Sequence, residues 1–387
     1  MSSEIVTFPL AVPLTDVEKQ ELTRILWQWP LCHGCNFGQP CASTTCPWKR
    51  LHRLEPFFQF YSFYTSSYAP DFMGENAPAL KSHRELFGIL KLLKQNPTVD
   101  RQSLTTDHFS SVEDCIRPLD SDQHRAFNLA MRILTMTPCS SENQSVDMIE
   151  SGSNPMEWRH NESVSQYLSA AFKMRDHPTL NEKDENGKDI KTQLTASNLQ
   201  KIAGLTFVGT DNLRDHLRLN HASGVVEIFH HTTVLKEHLA AMMEQKSPAP
   251  PSPGQISRQL VLETLDSVQK ILFPLAPKSR AMLRSLVKKH DLDPDCLRFD
   301  SLGRRDDENE IRFQYWGSRL MDLYDEIENP KPRGFLERWM ERKSGARYVM
   351  MATLAGVTMA VILGVLGLAV SIFQAWVGYQ QWKYPAT

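Results

Sequence analysis

Apolar residues recur at helical spacing along most of the first 245 residues and predict a mainly α fold. Thr15, with Glu18 three positions later, forms a capping-box pattern at a helix start. That helix should end before Pro30, because proline cannot continue a helical hydrogen-bond ladder. Similar spacing and caps predict further helices at 80–93, 126–134, 163–174 and 195–204.

One short apolar run, Val225–Phe229, predicts a β-strand. Residues 195–219 before it also fit a helix-turn-helix, in which Thr210 caps the second helix and the strand serves as a wing. Lysine and arginine (43) do not exceed aspartate and glutamate (45), whereas nucleic-acid binders usually carry a basic excess. We therefore expect a mainly α fold with a small β element, and no nucleic-acid partner.

Four prolines interrupt the periodic pattern within KSPAPPSPGQ and predict an extended linker at 246–256. Residues 1–245 would then form an N-terminal, mainly helical soluble domain. Helical spacing resumes after the linker, so a helical stalk or bundle is predicted at 257–347.

The segment from Val349 to Val377 contains no charged residue. About 20 helical residues suffice to cross the hydrocarbon core of a bilayer. Aromatic residues gather at its end, as they do at membrane interfaces. A buried helix of a soluble core is the alternative, but such helices rarely run so long without a charge. We predict a transmembrane helix at 348–377 and a short tail at 378–387.

Basic residues cluster before the span and are Arg338, Arg342, Lys343 and Arg347. Only Lys383 follows it, so the positive-inside rule places the N-terminal bulk in the cytosol. The N-terminus also lacks the pattern of a secretory signal. With about ten residues after the span, we expect a tail-anchored protein of an endomembrane. The sequons at Asn143 and Asn161 should then stay unmodified.

Small residues recur every four positions in the span, at Ala352, Gly356, Ala360 and Gly364. This spacing lines one helix face and lets two membrane helices approach closely. It predicts a homodimer through the span. The alternative is that glycine and alanine are simply common in membrane helices.

Four of the seven cysteines crowd into one short stretch and are Cys32, Cys35, Cys41 and Cys46. In a reducing compartment such a group indicates thiols or metal rather than disulfides. The spacing loosely fits a zinc knuckle, so a structural zinc ion is the one cofactor suggested. A metal-free loop or lipidated thiols would give the same pattern.

Five histidines fall within 23 positions and are His216, His221, His230, His231 and His238. Their spacing matches no familiar ligand pattern, and no HExxH motif accompanies them, so we expect ordinary structural histidines. GxSxG, GxxxxGK[ST] and GxGxxG motifs are also absent, which leaves hydrolase, NTPase and dinucleotide-binding functions without support.

Several stretches resemble a broad family of uncharacterised filamentous-fungal proteins with a single C-terminal transmembrane helix. They are RAFNLAMRILTM, DHPTLNE, TDNLRDHLRL, GVVEIFHHTTVLKEHL, ERKSGARYVMMATLAG and FQAWVGYQQW. The resemblance covers most of the chain from about Ser121 to Tyr384 and implies a fungal origin and the membrane anchor. It implies no activity and no site residues.

Together these observations predict a tail-anchored membrane protein whose cytosolic helical domain recruits a protein partner. The alternative is a membrane-tethered enzyme or accessory factor acting on apolar metabolites, as in secondary metabolism. A deep apolar pocket with convergent polar groups would favour that alternative. A transporter is disfavoured, because one span without an intramembrane charge offers no ion path.

Overall fold

Helices dominate the computed structural model, which describes residues 8–29, 46–70, 77–110, 117–141, 155–181, 185–244, 254–300, 302–308, 310–330 and 347–383. The chain divides into two compact units, Met1–Pro330 and Lys331–Thr387. The first unit contains α1 (Asp16–Trp27), α2 (Glu55–Ser66), α3 (His83–Gln95), α4 (Arg101–Ser110), α5 (Asp120–Thr135), α6 (Val164–Ala171), α7 (Pro178–Asn181), α8 (Glu185–Gln193), α9 (Ala196–Ala203), α10 (Thr232–Glu244), α11 (Arg258–Asp266), α12 (Pro277–His290) and α13 (Gly317–Glu328).

The β structure of this unit is small. Its strands are β1 (Cys139–Ser140), β2 (Met156–Glu157), β3 (Thr206–Thr210), β4 (Leu219–Asn220) and β5 (Val225–Phe229). In the three-stranded sheet, β5 is central, parallel to β3 and antiparallel to β4. The short strands β1 and β2 pair in parallel. The predicted fold class, mainly α with a small β element, is confirmed.

The predicted helix starts are confirmed where a polar side chain caps the first turn. The Thr15 hydroxyl accepts from the backbone N–H of Glu18, and the Glu18 carboxylate accepts from the backbone N–H of Thr15 at 2.9 Å. Ser163 makes the same reciprocal pair with Gln166 at the start of α6. These bonds satisfy backbone donors that a helix leaves unpaired at its N-terminus.

The helix predicted from Thr210 is wrong. Only one 3₁₀ turn, Leu213–Asp215, forms there, and Leu217 adopts a positive φ of 59°. Asn212 accepts from a backbone N–H within this turn and donates to Asp215 at 2.6 Å, and such local bonds compete with a helix. The chain then turns so that β4 can pair with β5, so the helix-turn-helix interpretation is also wrong.

The hydrophobic core contains residues from both sides of the predicted linker. Every residue of α11 from Leu260 to Asp266 is buried, and Phe273 and Leu320 belong to the same hydrophobic cluster as Leu26. Helix α10 packs directly on α11. The predicted stalk is therefore corrected: residues 257–330 belong to the first unit, because a helix buried on all sides is a core helix. Residues 246–253 and 331–346 lie outside the described ranges.

Among its described residues, the second unit contains one long helix, α14 (Arg347–Lys383). Its segment Thr353–Gln380, 28 residues with a mean hydropathy of 2.4, is long and apolar enough to cross a membrane. Gly356 and Gly364 lie on one face of this helix, and a Cβ added at either position would meet nothing within 4 Å. The face that was predicted to mediate dimerisation is thus open, and the dimer itself stays a prediction.

Candidate functional site

The parallel strands β3 and β5 end side by side. Thr210 pairs in register with Phe229, so the next residues, Asp211 and His230, leave the sheet at the same edge. His231 follows directly and precedes the first turn of α10. The carboxyl edge of parallel strands is where ligand sites of open α/β sheets gather, because the connecting loops meet there.

Two imidazoles converge on one carboxylate at this edge. Oδ1 of Asp211 lies 2.7 Å from Nε2 of His231 and 3.1 Å from Nε2 of His230. The two rings stack with their centroids 4.2 Å apart. Adjacent residues of a strand point to opposite faces, but here the chain is already turning from β5 into α10. That turn brings both rings to the same side.

Hydrogen-bond directions indicate where the protons lie. The backbone N–H of Asp293 donates to Nδ1 of His230 at 3.1 Å, so the proton of this ring is on Nε2 and points to Asp211. Nδ1 of His231 is buried and has no hydrogen-bond partner within the described part of the chain. Since Nε2 of His231 faces a carboxylate, it also carries the proton of its ring.

The charge states of the cluster follow from its environment. Burial lowers the pKa of His231 to about 4, an effect that the neighbouring His230 reinforces and the Asp211 carboxylate opposes. Burial raises the pKa of Asp211, but the hydrogen bonds from the two histidines outweigh it and hold that pKa well below its ordinary value. At neutral pH, Asp211 is therefore ionised and His231 is uncharged.

The cluster opens into a cleft of about 410 Å³. The side chain of Asp211 is 43% exposed, whereas His231 is 2% exposed. One wall is formed by Gln59, Phe60 and Phe63 of α2, and the other by His290, Asp291 and Leu292 at the end of α12. Solvent and small solutes can thus reach the Asp211 carboxylate, while the two imidazoles are largely buried.

A glycine makes room for the cluster. A Cβ added to Gly209 would overlap Cδ2 of Leu292 and would lie 3.0 Å from Cδ2 of His230. Any larger residue at position 209 must therefore push either the cleft wall or one of the two rings.

Asp293 holds the segment behind His230 in place. Its Oδ2 accepts from the backbone N–H of Thr233 at 2.9 Å and from the Thr233 hydroxyl at 2.8 Å, which caps the first turn of α10. A buried ion pair between Lys236 and Asp295, at 2.6 Å, joins the same two segments further along. The position of the Asp293 N–H, and with it the orientation of the His230 ring, is fixed by these contacts.

The other three histidines of the group between positions 216 and 238 lie outside this cleft. His216 bonds Ser267 at 2.7 Å in the core, His221 bonds Glu326 at 3.1 Å, and His238 packs against Trp27. These three have structural roles, as expected. The sequence pattern drew attention to His230 and His231 but did not connect them with Asp211, because it predicted a helix at Asp211. A predicted strand at 206–210 would have placed Asp211 and His230 each directly after the end of a strand.

The predicted zinc knuckle lies mostly outside the described residues. Cys32, Cys35 and Cys41 belong to that part of the chain, and Cys46 is buried just before the 3₁₀ helix Pro47–Leu54. A structural zinc ion on the four cysteines therefore stays a prediction.

The chain was compared with protein-family models, curated proteins and solved structures. None of the three gives a match. The resemblance to the filamentous-fungal family stays a prediction, and the function has to be argued from the residues themselves.

Proposed function

We propose that the protein is a tail-anchored membrane protein whose first unit, up to Pro330, works in the cytosol as a recruitment module for a protein partner. The observation that carries the proposal is the apolar segment Thr353–Gln380 of α14. Its 28 residues span about 42 Å as a helix, against roughly 30 Å for the hydrocarbon core. Phe373, Trp376 and Tyr379 near one end suit an interface.

The orientation rests on the flanking charges. Four basic residues, Arg338, Arg342, Lys343 and Arg347, precede the span, whereas Lys383 alone follows it. Cytoplasmic flanks carry the excess of lysine and arginine, so the first unit lies in the cytosol, on an endomembrane.

A non-enzymatic role is supported by the way in which buried ionisable groups are used. The Glu263 carboxylate, for example, accepts from the backbone N–H groups of Tyr315 at 2.7 Å and Trp316 at 3.0 Å, and so fixes the loop before α13. Burial raises the pKa of the Cys139 thiol to about 12 and that of Cys296 still further, so neither is a reactive nucleophile. These groups serve the fold.

The alternative, an enzyme acting on apolar metabolites, would need a deep apolar pocket. The cleft beside Asp211 is instead lined by two carboxylates, three imidazoles and only a few apolar side chains. We therefore keep the recruitment module as the proposed function.

Topology is tested with fluorescent fusions at each end, imaged with and without residues 348–387 and combined with protease protection. We expect the full chain on an organelle with a digestible N-terminal fusion and a protected C-terminal one. Truncation should release the protein into the cytosol. A protected N-terminal fusion, or a truncated chain that stays on the membrane, would contradict the proposal.

Recruitment is tested by proximity labelling from the N-terminus of the full chain. The matched control carries the labelling enzyme on residues 331–387 alone, so that it shares the membrane but lacks the folded unit. We expect a small set of cytosolic proteins to be labelled by the full chain and not by the control. Identical labelling by both would mean that the folded unit recruits nothing.

A further inference from the structure

We propose that Asp211, His230 and His231 bind a divalent transition-metal ion of the zinc class at the carboxyl edge of β3 and β5. One ligand atom from each residue, two imidazole nitrogens and one carboxylate oxygen, lies within 4.8 Å of the others. This site shares no residue with the cysteine cluster, and metal binding by it does not require the membrane anchor.

The donor set selects the class of ion. Imidazole nitrogen suits zinc, copper, nickel and iron, whereas calcium and magnesium prefer oxygen ligands throughout. Two of the three donors here are nitrogens, from His230 and His231. Three protein ligands leave a tetrahedral ion with one open position, and the 410 Å³ cleft can supply water to it.

The two separations from Asp211 require a small movement of its carboxylate. Donors about 2.1 Å from a tetrahedral ion lie about 3.4 Å from one another. The present separations from Oδ1 of Asp211 are 3.1 and 2.7 Å, so the carboxylate must withdraw by about 0.3 to 0.7 Å. Asp211 is 43% exposed and follows the end of β3, so its carboxylate can move into the cleft.

Binding also moves one proton within each imidazole, from Nε2 to Nδ1, through exchange with solvent. In His231 the proton reaches an Nδ1 that has no partner in the described part of the chain, so no hydrogen bond is lost. In His230 it reaches the Nδ1 that now accepts from the Asp293 N–H, so two donors would face each other and either the His230 ring or the Asp293 backbone must shift. The lost bond leaves the Asp293 N–H without its acceptor and weakens binding by on the order of ten- to hundredfold relative to a site without it.

The deciding experiment is a cobalt(II) titration of the metal-depleted, full-length protein in detergent. Cobalt(II) reports its ligands, because thiolates give charge-transfer bands in the near ultraviolet and imidazole with carboxylate do not. The Cys32→Ser, Cys35→Ser variant removes the competing cluster. We expect this variant to bind one cobalt ion with a tetrahedral visible spectrum and no thiolate bands, and zinc to displace it. Failure of this variant to bind cobalt would overturn the proposal.

Substitutions in the same background identify the site. Asp211→Asn should weaken cobalt binding by at least on the order of tenfold, as should His231→Gln. Asp291→Asn is the matched control: it makes the same chemical change in an exposed residue of the same cleft, at a left-handed position (φ 50°) that asparagine tolerates. Equal weakening by Asp211→Asn and Asp291→Asn would mean diffuse binding to surface carboxylates, and the proposal would fail.

X-ray absorption of zinc bound to the Cys32→Ser, Cys35→Ser variant gives a reading that does not depend on whether the site variants fold. We expect a first shell of nitrogen and oxygen only, with the outer-shell scattering of two imidazoles. A shell that contains sulfur, or one without imidazole scattering, would assign the ion elsewhere.

Discussion

The backbone N–H of Asp293 donates to Nδ1 of His230 at 3.1 Å, while the Asp293 carboxylate caps the first turn of α10. One residue thus fixes both the start of a helix and the ring that lies beside that start. The cleft and the core are therefore coupled at position 293.

Asp293→Ala should lower the free energy of unfolding by about 2 kcal/mol, because the helix cap is lost and the buried Thr233 hydroxyl loses its acceptor. Denaturant unfolding of the chain ending at Pro330 measures this. Asp107→Ala, an exposed position on α4, is the control and should change stability by less than about 0.5 kcal/mol. Equal effects of the two substitutions would show that the cap contributes nothing.

Two glycine substitutions should have opposite signs. Gly209→Ala should destabilise the first unit by about 1 to 3 kcal/mol, since its Cβ overlaps Leu292 and crowds His230. Gly88→Ala lies in α3, where the nearest atom, on His108, is 3.9 Å from the added Cβ, so it should stabilise by about 0.5 to 1 kcal/mol. The same experiment measures the free energy of unfolding of both variants. An unchanged value for Gly209→Ala would mean that the cleft wall moves aside at no cost in stability.

Acid should unfold the first unit partly through His216. Burial lowers the pKa of this histidine well below its ordinary value, and the nearby Arg319 lowers it further. Its Nδ1 accepts from the backbone N–H of Phe229, which requires an uncharged ring. The unfolded chain binds a proton near pH 6.5 and the folded one does not, so this contribution to stability is present above about pH 6.5 and falls below it by about 1.4 kcal/mol per pH unit.

The measurement for His216 is denaturant unfolding at pH 7, 6 and 5 on the wild-type chain and on His216→Gln. The variant is less stable at pH 7, but its stability should fall less steeply as the pH is lowered, by about 1.4 kcal/mol per unit. Parallel curves for the two proteins would show that His216 does not carry the acid sensitivity.

Self-association of α14 should depend on its small-residue face. Gly356→Leu with Gly364→Leu fills that face and should reduce crosslinked dimer in membranes by about tenfold or more, because close approach of the two helices is blocked. Thr358→Leu with Ala369→Leu adds similar bulk on the opposite face of the helix and should leave the dimer intact. Unchanged crosslinking by the glycine pair would remove the dimer hypothesis.

A chain ending at residue 245 should not fold. Removing the residues after it takes away α11, which packs on α10 and is buried along its length. We expect the fragment to lack a cooperative thermal transition, whereas the chain ending at Pro330 should show one. A cooperative transition in the short fragment would restore the linker and stalk as separate elements.

Local chemistry made much of the fold predictable. The capping boxes at Thr15 and Ser163 act over three residues, and the long apolar helix, predicted at 348–377 and found at Arg347–Lys383, follows from composition alone. The site was not predictable in this way. Leu213 and Leu217 have helical spacing, but the chain around them forms a turn that lets β4 reach β5. Only the pairing of Thr210 with Phe229, 19 positions away, brings Asp211 to His230.

Contacts between residues far apart in the chain also determine when the core can form during synthesis. The indole N–H of Trp29 donates to Glu237, 208 positions away, and Arg53 pairs with Asp300, 247 positions away. Closing such long loops is entropically slow, and chains rich in distant contacts fold slowly. Within α2, the ring of Phe60 packs on His231, so this part of its aromatic face stays exposed until His231 has been made. We expect this protein to depend on chaperones that shield nascent apolar helices.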